Sequence, residues 1–183
     1  MGPRTAYHLW ILAVPLTVAG TPKERMTFAI TSSAFQDGAP IPGRHTCDGG
    51  DVSPPLAWSG VPGGTAAFAL IADDPDAPAG TWVHWVLYNI PATVNRLPEG
   101  VAKTEALPDL GGALQGRNDF RRVGYGGPCP PPGPPHHYFF KLYALDAPLR
   151  LKAGVQKHEV EAAMRGHTLG TTQLVGMYAR QKK

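Results

Sequence analysis

Residues 72–91 read ADDPDAPAGTWVHWVLYNIP, an acidic, proline-containing loop that runs into an aromatic and β-branched segment. The segment from Trp82 to Ile90 predicts a strand, because such residues favour strands and because a glycine and a proline bound it. It lacks polar–apolar alternation, so we expect both faces of the strand to be covered. A two-residue period would place four of its side chains on one face: Trp82, His84, Val86 and Tyr88.

A second stretch, residues 124–145, reads GYGGPCPPPGPPHHYFFKLYAL and also couples a loop to a strand. Each proline ring fixes φ and removes a donor, so the loop is stiff, and its glycines would expose backbone N–H groups to a ligand. The strand is predicted from Tyr138 to Leu145. His136 and Tyr138 would project from the same face, and His137 would point the opposite way, to solvent.

The rest of the chain predicts short strands and one helix. Strands are expected at residues 27–30, 65–72 and 172–180. Residues 35–55 predict two short edge strands and a long loop, and a strand is expected to resume at Leu56–Trp58. Apolar residues at a helical period, followed by Gly166, predict a helix over residues 155–165. Residues 96–122 show no clear period and predict a surface excursion. A strand-rich chain with one helix indicates a mainly β fold, an antiparallel β-sandwich or barrel.

The composition is that of a folded globular protein. Of 183 residues, 43% are apolar and 17% are charged, and the length suits a single domain. The formal net charge is +3, of which residues 1–25 supply +2. No stripe of Lys and Arg with interleaved aromatic residues occurs, which argues against nucleic-acid binding.

The first 25 residues differ in character from the rest. Arg4 followed by the apolar run Leu9–Gly20 resembles a signal peptide, and the run is too short to span a bilayer. The alternative is that Met26 is the true start and that residues 1–25 are a mis-assigned extension. The first alternative predicts a periplasmic or secreted protein and the second a cytoplasmic one. Under both, residues 26–183 are expected to form one domain.

The two quoted stretches carry ionisable residues that are not required to form their loops and strands. We expect them to meet in one pocket formed by Asp74, His84, His136 and Tyr138. Imidazole and phenol groups donate hydrogen bonds to oxyanions, and imidazole titrates in the same pH range as phosphate. Phosphate affinity should then rise as pH falls through about 6.5. The alternatives are structural: His84 as a core histidine bonded to a carbonyl, and Asp74 or Asp76 as turn residues.

Four ordered motifs resemble those of the phosphatidylethanolamine-binding proteins, in the bacterial and archaeal branch described as Raf-kinase-inhibitor-like. The motifs are D-P-D-A-P (Asp74–Pro78), W-V-H-W (Trp82–Trp85), Y-G-G-P-C-P-P (Tyr125–Pro131) and H-x-Y (His136 and Tyr138). The resemblance covers nearly all of residues 26–180. It implies a β-sandwich around a large central antiparallel sheet, with a pocket for phosphate-like anions. The residues that it assigns to the pocket are Asp74, Ala77, His84, Gly127, Pro130, His136 and Tyr138.

The chain departs from the family pattern in two places. The family commonly has arginine after the second pocket histidine, where this chain has His137, so a permanent positive charge is lost near the pocket. The long C-terminal helix of the animal members has no counterpart. The second departure argues against a lipid-headgroup gate and against kinase inhibition, two properties that the resemblance would otherwise imply.

The favoured function is non-catalytic binding of a phosphate-type anion, without a cofactor. The expected partners are a phosphorylated small molecule or lipid headgroup, a kinase or protease that the protein would inhibit, and a second copy of the chain in a homodimer. The alternative is a metal-dependent enzyme with His84, His136 and Asp74 as a two-histidine-one-carboxylate site. A serine hydrolase is least favoured, because no serine lies in a G-x-S-x-G setting.

The two cysteines, Cys47 and Cys129, lie in separate loops and are either bridged or both free. A bridge would favour the exported form of the protein, since oxidising compartments preserve disulfides.

Overall fold

The structure, a computed structural model, describes residue 2 and residues 27–180. Its elements are β1 (Ala29–Thr31), β2 (Ala39–Pro40), β3 (Leu56–Ser59), β4 (Ala67–Asp74), β5 (Trp82–Pro91), β6 (Arg96–Leu97), β7 (Ala106–Leu107), β8 (Ala113–Gln115), β9 (His136–Leu145), α1 (Lys157–Ala163) and β10 (Thr168–Tyr178). Seven strands form one sheet in the order β2-β10-β9-β4-β5-β8-β7, and β1, β3 and β6 form a second. The predicted mainly β sandwich around a large central sheet is confirmed.

The central strand β4 is buried along all eight of its residues. On one face Phe68 packs against Trp58 of the small sheet, with ring centroids 5.3 Å apart. On the other face Ile71 belongs to a cluster that includes Val160 of α1. Both faces of the large sheet are therefore covered, which explains the continuous apolar runs in the central strands.

The predicted side-chain alternation along β5 breaks at His84. The register between β4 and β5 shifts there and leaves His84 as an extra residue in a β-bulge. Beyond the bulge, Val86 and Tyr88 pack in the cluster beside α1, whereas His84 contacts Tyr138 on the other face. The prediction that all four side chains share one face is therefore wrong, because an extra residue reverses the alternation.

The other predicted elements are present with shifted ends. The helix is shorter than predicted and ends before Gly166, whose φ of 80° is the left-handed conformation of a glycine stop. The last strand starts at Thr168 rather than at residue 172, because it pairs with β9 along almost its whole length. Residues 35–55 contain one edge strand, β2, instead of two. Residues 96–122 hold β6, β7 and β8, which are too short to show a period.

Both alternatives for residues 1–25 concern a segment outside the described residues. Within residues 27–180 the one α-helix has seven residues, so no helix in that range could cross a bilayer.

Candidate functional site

A cavity of about 190 Å³ opens where β4 ends and where β5 and β9 begin. Antiparallel pairing sets this position, because Asp74, the last residue of β4, pairs with Trp82, the first residue of β5. The turn of residues 117–123 and the proline-rich loop complete the walls. The lining residues are Asp74, Ala77, Pro78, Trp82, His84, Phe120, Cys129, Pro130, Pro131 and His136.

His136 is oriented by Asp74. The Nδ1–H of His136 donates to Oδ2 of Asp74 at 2.7 Å, and Oδ1 of Asp74 accepts the backbone N–H of Asp76 at 2.8 Å. The side chains of His136 and Asp74 are both buried. Because Nδ1 is engaged by the protein, Nε2 is the ring nitrogen of His136 that is left for a ligand.

His84 is held by a backbone carbonyl. Its Nδ1–H donates to the carbonyl oxygen of Gly126 at 2.6 Å, and its ring packs edge-on against Phe120 and Tyr138. Burial lowers the pKa of His84, although the Gly126 carbonyl and the charge of Asp74 oppose the shift. Burial therefore favours the neutral imidazole, and an anion bound beside Nε2 would favour the charged form.

Two buried donors of this region lack a hydrogen-bond partner. Among residues 27–180 the buried side-chain nitrogen and oxygen atoms without a partner are Trp82 Nε1, Tyr138 Oη and Trp58 Nε1. Trp82 lines the cavity, Tyr138 lies against the ring of His84, and Trp58 belongs to the core. Burial raises the pKa of Tyr138 most, and the negative charge of Asp74 and a weak contact between its carboxylate and the hydroxyl raise it further, so the hydroxyl stays protonated. An unpaired buried donor costs about 1–3 kcal/mol, which a ligand that accepts from it would recover.

The proline-rich wall is tied to the loop of residues 43–51. Cys129, which lines the cavity, forms a disulfide with Cys47, so the two cysteines are bridged. The N–H of Gly127 donates to Oδ1 of Asp51 at 2.6 Å, and a Cβ at residue 127 would lie 2.6 Å from the carbonyl oxygen of His45. Glycine is thus required for close approach of the two loops. The expectation that the N–H of Gly127 is open to a ligand is wrong.

The structure brings together five of the seven residues that the resemblance assigns to the pocket. These five are Asp74, Ala77, His84, Pro130 and His136, whereas Gly127 and Tyr138 do not line the cavity. The role of all seven in ligand binding stays a prediction.

Asp76 and His137 form an exposed pair outside the cavity lining. The Nδ1–H and the backbone N–H of His137 donate to Oδ2 of Asp76 at 2.7 and 2.8 Å. These two hydrogen bonds lower the pKa of Asp76. The prediction that His137 points to solvent is confirmed, and Asp76 occupies the turn position expected of it.

The turn of residues 117–123 is the part of the site that sequence reasoning missed. Phe120 packs against Trp82 and His84, with ring centroids 5.4 Å away in each case. Asp119 anchors the turn to β5, because its N–H donates to the carbonyl of Val83 at 2.9 Å and its Oδ2 accepts the N–H of Val83 at 2.7 Å. Asn118 and Asp119 are residue types that favour turns, but nothing in their spacing shows where the turn docks.

The alternative metal site is not supported. Within residues 27–180 no group of three or more His, Cys, Asp and Glu side chains is arranged to hold a metal ion. Oδ2 of Asp74 is bonded to Nδ1 of His136, so the two side chains are directed at each other.

Comparison with known proteins identifies the family. The family model described as phosphatidylethanolamine-binding protein matches residues 31–179. The chain belongs to this family. Its relatives include a UPF0098 protein of Methanothermobacter thermautotrophicus, which is 52% identical over 151 residues, 82% of this chain and 98% of the relative.

Two crystal structures of members of the phosphatidylethanolamine-binding protein family show similar folds. YbcL of Escherichia coli matches with a TM-score of 0.79 and 38% identity, covering 84% of this chain and 99% of that one. A homologue from Chlamydia trachomatis matches with a TM-score of 0.75 and 40% identity, covering 84% of this chain and 98% of that one.

Proposed function

We propose that the protein binds a phosphate-type anion in this cavity without transforming it. A phosphate group presents several acceptor oxygens. The cavity lining offers the unpaired Nε1–H of Trp82 and the Nε2 atoms of His84 and His136, which donate when the imidazoles are protonated. The observation that carries the proposal is that the cavity is lined by Trp82, whose Nε1–H has no partner, together with His84 and His136, whose Nδ1 atoms are held by the protein. Membership of a family named for binding a phospholipid is consistent with a phosphate-bearing ligand.

The cavity volume favours a small ligand or the headgroup of a larger one. Its 190 Å³ is below the roughly 300–1,000 Å³ of pockets that hold drug-sized ligands. A free phosphate ester and a lipid headgroup share the required chemistry. Calorimetry with glycerol 3-phosphate and co-sedimentation with phosphatidylcholine vesicles, with and without phosphatidic acid, distinguish the two sources. Inhibition of a kinase or protease and homodimer formation stay predictions.

A non-catalytic role is favoured because the cavity lining offers no nucleophile beside the His136–Asp74 pair. Such a pair is the base part of a catalytic triad, which also needs a nucleophile. No serine or threonine is among the lining residues, and the sulfur of Cys129 is held in the disulfide. Ser53 is buried elsewhere, where its hydroxyl accepts a backbone N–H. The imidazole of His136 therefore has no hydroxyl or thiol at the cavity surface to activate.

The pH dependence of anion affinity tests the proposal. Sulfate keeps its charge between about pH 5 and 8, the range in which histidines titrate, so its affinity reports protonation of the protein. Because burial lowers the pKa of His84, we expect sulfate and phosphate affinity to keep rising below about pH 6.5.

Variants identify the groups responsible. Calorimetry should show weaker binding in His84→Gln and His136→Gln. His137→Gln is the matched control, because His137 is an exposed histidine outside the cavity lining. An affinity that is flat with pH, or that is unchanged in both cavity variants, would refute the proposal.

The disulfide favours one of the two locations. Because oxidising compartments preserve disulfides, we propose that the protein is exported and that residues 1–20 act as a signal peptide. Intact-mass measurement of the native protein tests this. A mature chain that begins soon after Gly20 would support export, whereas one that begins at Met1 or Met26 would contradict it.

A further inference from the structure

The turn of residues 117–123 brings two arginines to the edge of the cavity. Oδ1 of Asn118 accepts the N–H of Arg122 at 3.1 Å, and the carbonyl of Asn118 accepts the N–H of Arg121 at 3.0 Å. The Asn118 side chain also donates to a backbone carbonyl further along the turn and is buried. This tight turn places Phe120 in the cavity wall, and the two arginines that follow Phe120 in the chain are exposed.

Arg122 contacts the cavity wall directly. Its guanidinium carbon lies 5.7 Å from the centroid of the Phe120 ring, within the range of a cation–π interaction. The same ring packs against Trp82 and His84, two of the residues proposed to hold the anion. The guanidinium and the cavity therefore share one aromatic ring as a neighbour.

Arg121 occupies a backbone conformation that favours glycine. Its φ of 61° is left-handed, which is uncommon for residues with a Cβ and costs of order 1 kcal/mol or more. Glycine would adopt this conformation without that cost. Glycine at position 121 would therefore remove the charge without straining the backbone.

These two arginines are the permanent positive charges nearest to the cavity along the chain. No Lys or Arg lines the cavity, and no other Lys or Arg lies within two residues of a lining residue. The ion pairs within residues 27–180 engage neither guanidinium. The nearby carboxylates accept other hydrogen bonds: Asp74 from His136, Asp76 from His137, and Asp119, in the turn itself, from the N–H of Val83. Both guanidinium groups are thus available to an anionic part of a ligand.

We infer that the ligand is a small phosphorylated acid, whose second anionic group is recognised by Arg121 and Arg122. The inference rests on the proposed phosphate site, because it places the second group of the same ligand. His137, which follows the cavity residue His136, is bonded to Asp76 and supplies no permanent positive charge. The turn at residues 117–123 supplies permanent positive charge from a different part of the chain.

Two ligands that differ in one group test the inference. 3-Phosphoglycerate carries a carboxylate where glycerol 3-phosphate carries a neutral alcohol, and both carry the same phosphate. We expect the protein to prefer 3-phosphoglycerate in calorimetry at low salt. The preference should fall roughly two- to fivefold in Arg122→Gln and again in Arg121→Gly, as for exposed ion pairs, and it should shrink as salt is added.

Two further variants separate recognition from structural effects. Arg121→Gly should be at least as stable as the unaltered protein, because glycine suits the left-handed backbone, yet it should lose part of the preference. Arg150→Gln removes the same charge from the loop that follows the far end of β9 and should leave the preference unchanged.

The outcomes distinguish the two proposals. Equal affinity for the two ligands, or a preference that survives in the double arginine variant, would overturn the inference while the phosphate site stands. Absence of binding of either phosphate ester would overturn the proposed function itself. A preference that Arg150→Gln reduces as much as Arg122→Gln would assign the effect to net charge and also overturn the inference.

Discussion

Replacing Tyr138 with phenylalanine should stabilise the protein and weaken anion binding at the same time. The Tyr138 side chain is buried, and its hydroxyl makes no well-formed hydrogen bond among the described residues. The carboxylate of Asp74 is close enough to raise the pKa of Tyr138 through its charge and through a weak contact with the hydroxyl. The substitution removes this oxygen and leaves the aromatic contact with His84 in place. A purely structural role for the tyrosine would not produce effects of opposite sign.

The magnitudes follow from the unpaired hydroxyl. Burying a donor without a partner costs about 1–3 kcal/mol. Removing the oxygen relieves that cost but leaves a small void, and the void offsets part of the gain in stability. We therefore expect the free energy of unfolding to rise by about 1 kcal/mol in Tyr138→Phe. A hydrogen bond to a charged acceptor contributes about 1.5–3 kcal/mol. Phosphate affinity should then fall about ten- to hundredfold.

Urea denaturation and phosphate calorimetry on the same samples measure both effects. Tyr125→Phe is the matched control, because the buried hydroxyl of Tyr125 donates to the carbonyl of His45 at 2.7 Å. Losing that bond should destabilise the protein by about 1 kcal/mol and leave phosphate affinity unchanged. If Tyr138→Phe were destabilised like the control, or bound phosphate as tightly as the unaltered protein, the reasoning would be refuted.

Three further predictions concern the bridge, the pH dependence of stability and the anchored turn. Reducing the Cys47–Cys129 disulfide, whose sequence separation is 82, should lower the free energy of unfolding by up to about 4 kcal/mol in urea denaturation with a reductant. Because burial lowers the pKa of His84, the unfolded chain binds a proton at this histidine more readily than the folded protein does. The free energy of unfolding should therefore drop as pH falls below about 6.5. Denaturation midpoints should show a smaller drop in His84→Gln. Asp119→Ala leaves the N–H of Val83 without its acceptor and should cost about 1–3 kcal/mol. It should also reduce the preference for 3-phosphoglycerate; an unchanged preference would contradict the role of the turn.

The long strands of the fold could be predicted from local sequence because their signal lies within each segment. Residues 82–90 and 138–145 are apolar and β-branched or aromatic over enough positions to exclude a loop. The short strands could not be predicted in the same way. β8, for example, has three residues and is defined by pairing of Leu114 and Gln115 with β5, far away in sequence.

The residues of the site also fall into those that local sequence placed and those that tertiary contacts placed. His136 and Tyr138 were placed on one face by the two-residue period of a strand, which needs no knowledge of the partner strands. The direction of His84 depends on the bulge, which arises from how β5 pairs with β4. Phe120 reaches the cavity because Asp119 bonds Val83, 36 residues earlier in the chain.

By itself, the sequence determined the mainly β class, the proline-stiffened loop and the residue types that can hold an oxyanion, because these follow from properties of neighbouring residues. Only the tertiary structure decided that Trp82 and Tyr138 keep unpaired donors, that the N–H of Gly127 is used by Asp51, and that an arginine-bearing turn borders the cavity. Each of these depends on backbone pairing or hydrogen bonds between segments distant along the chain, and no local pattern of residues records such contacts.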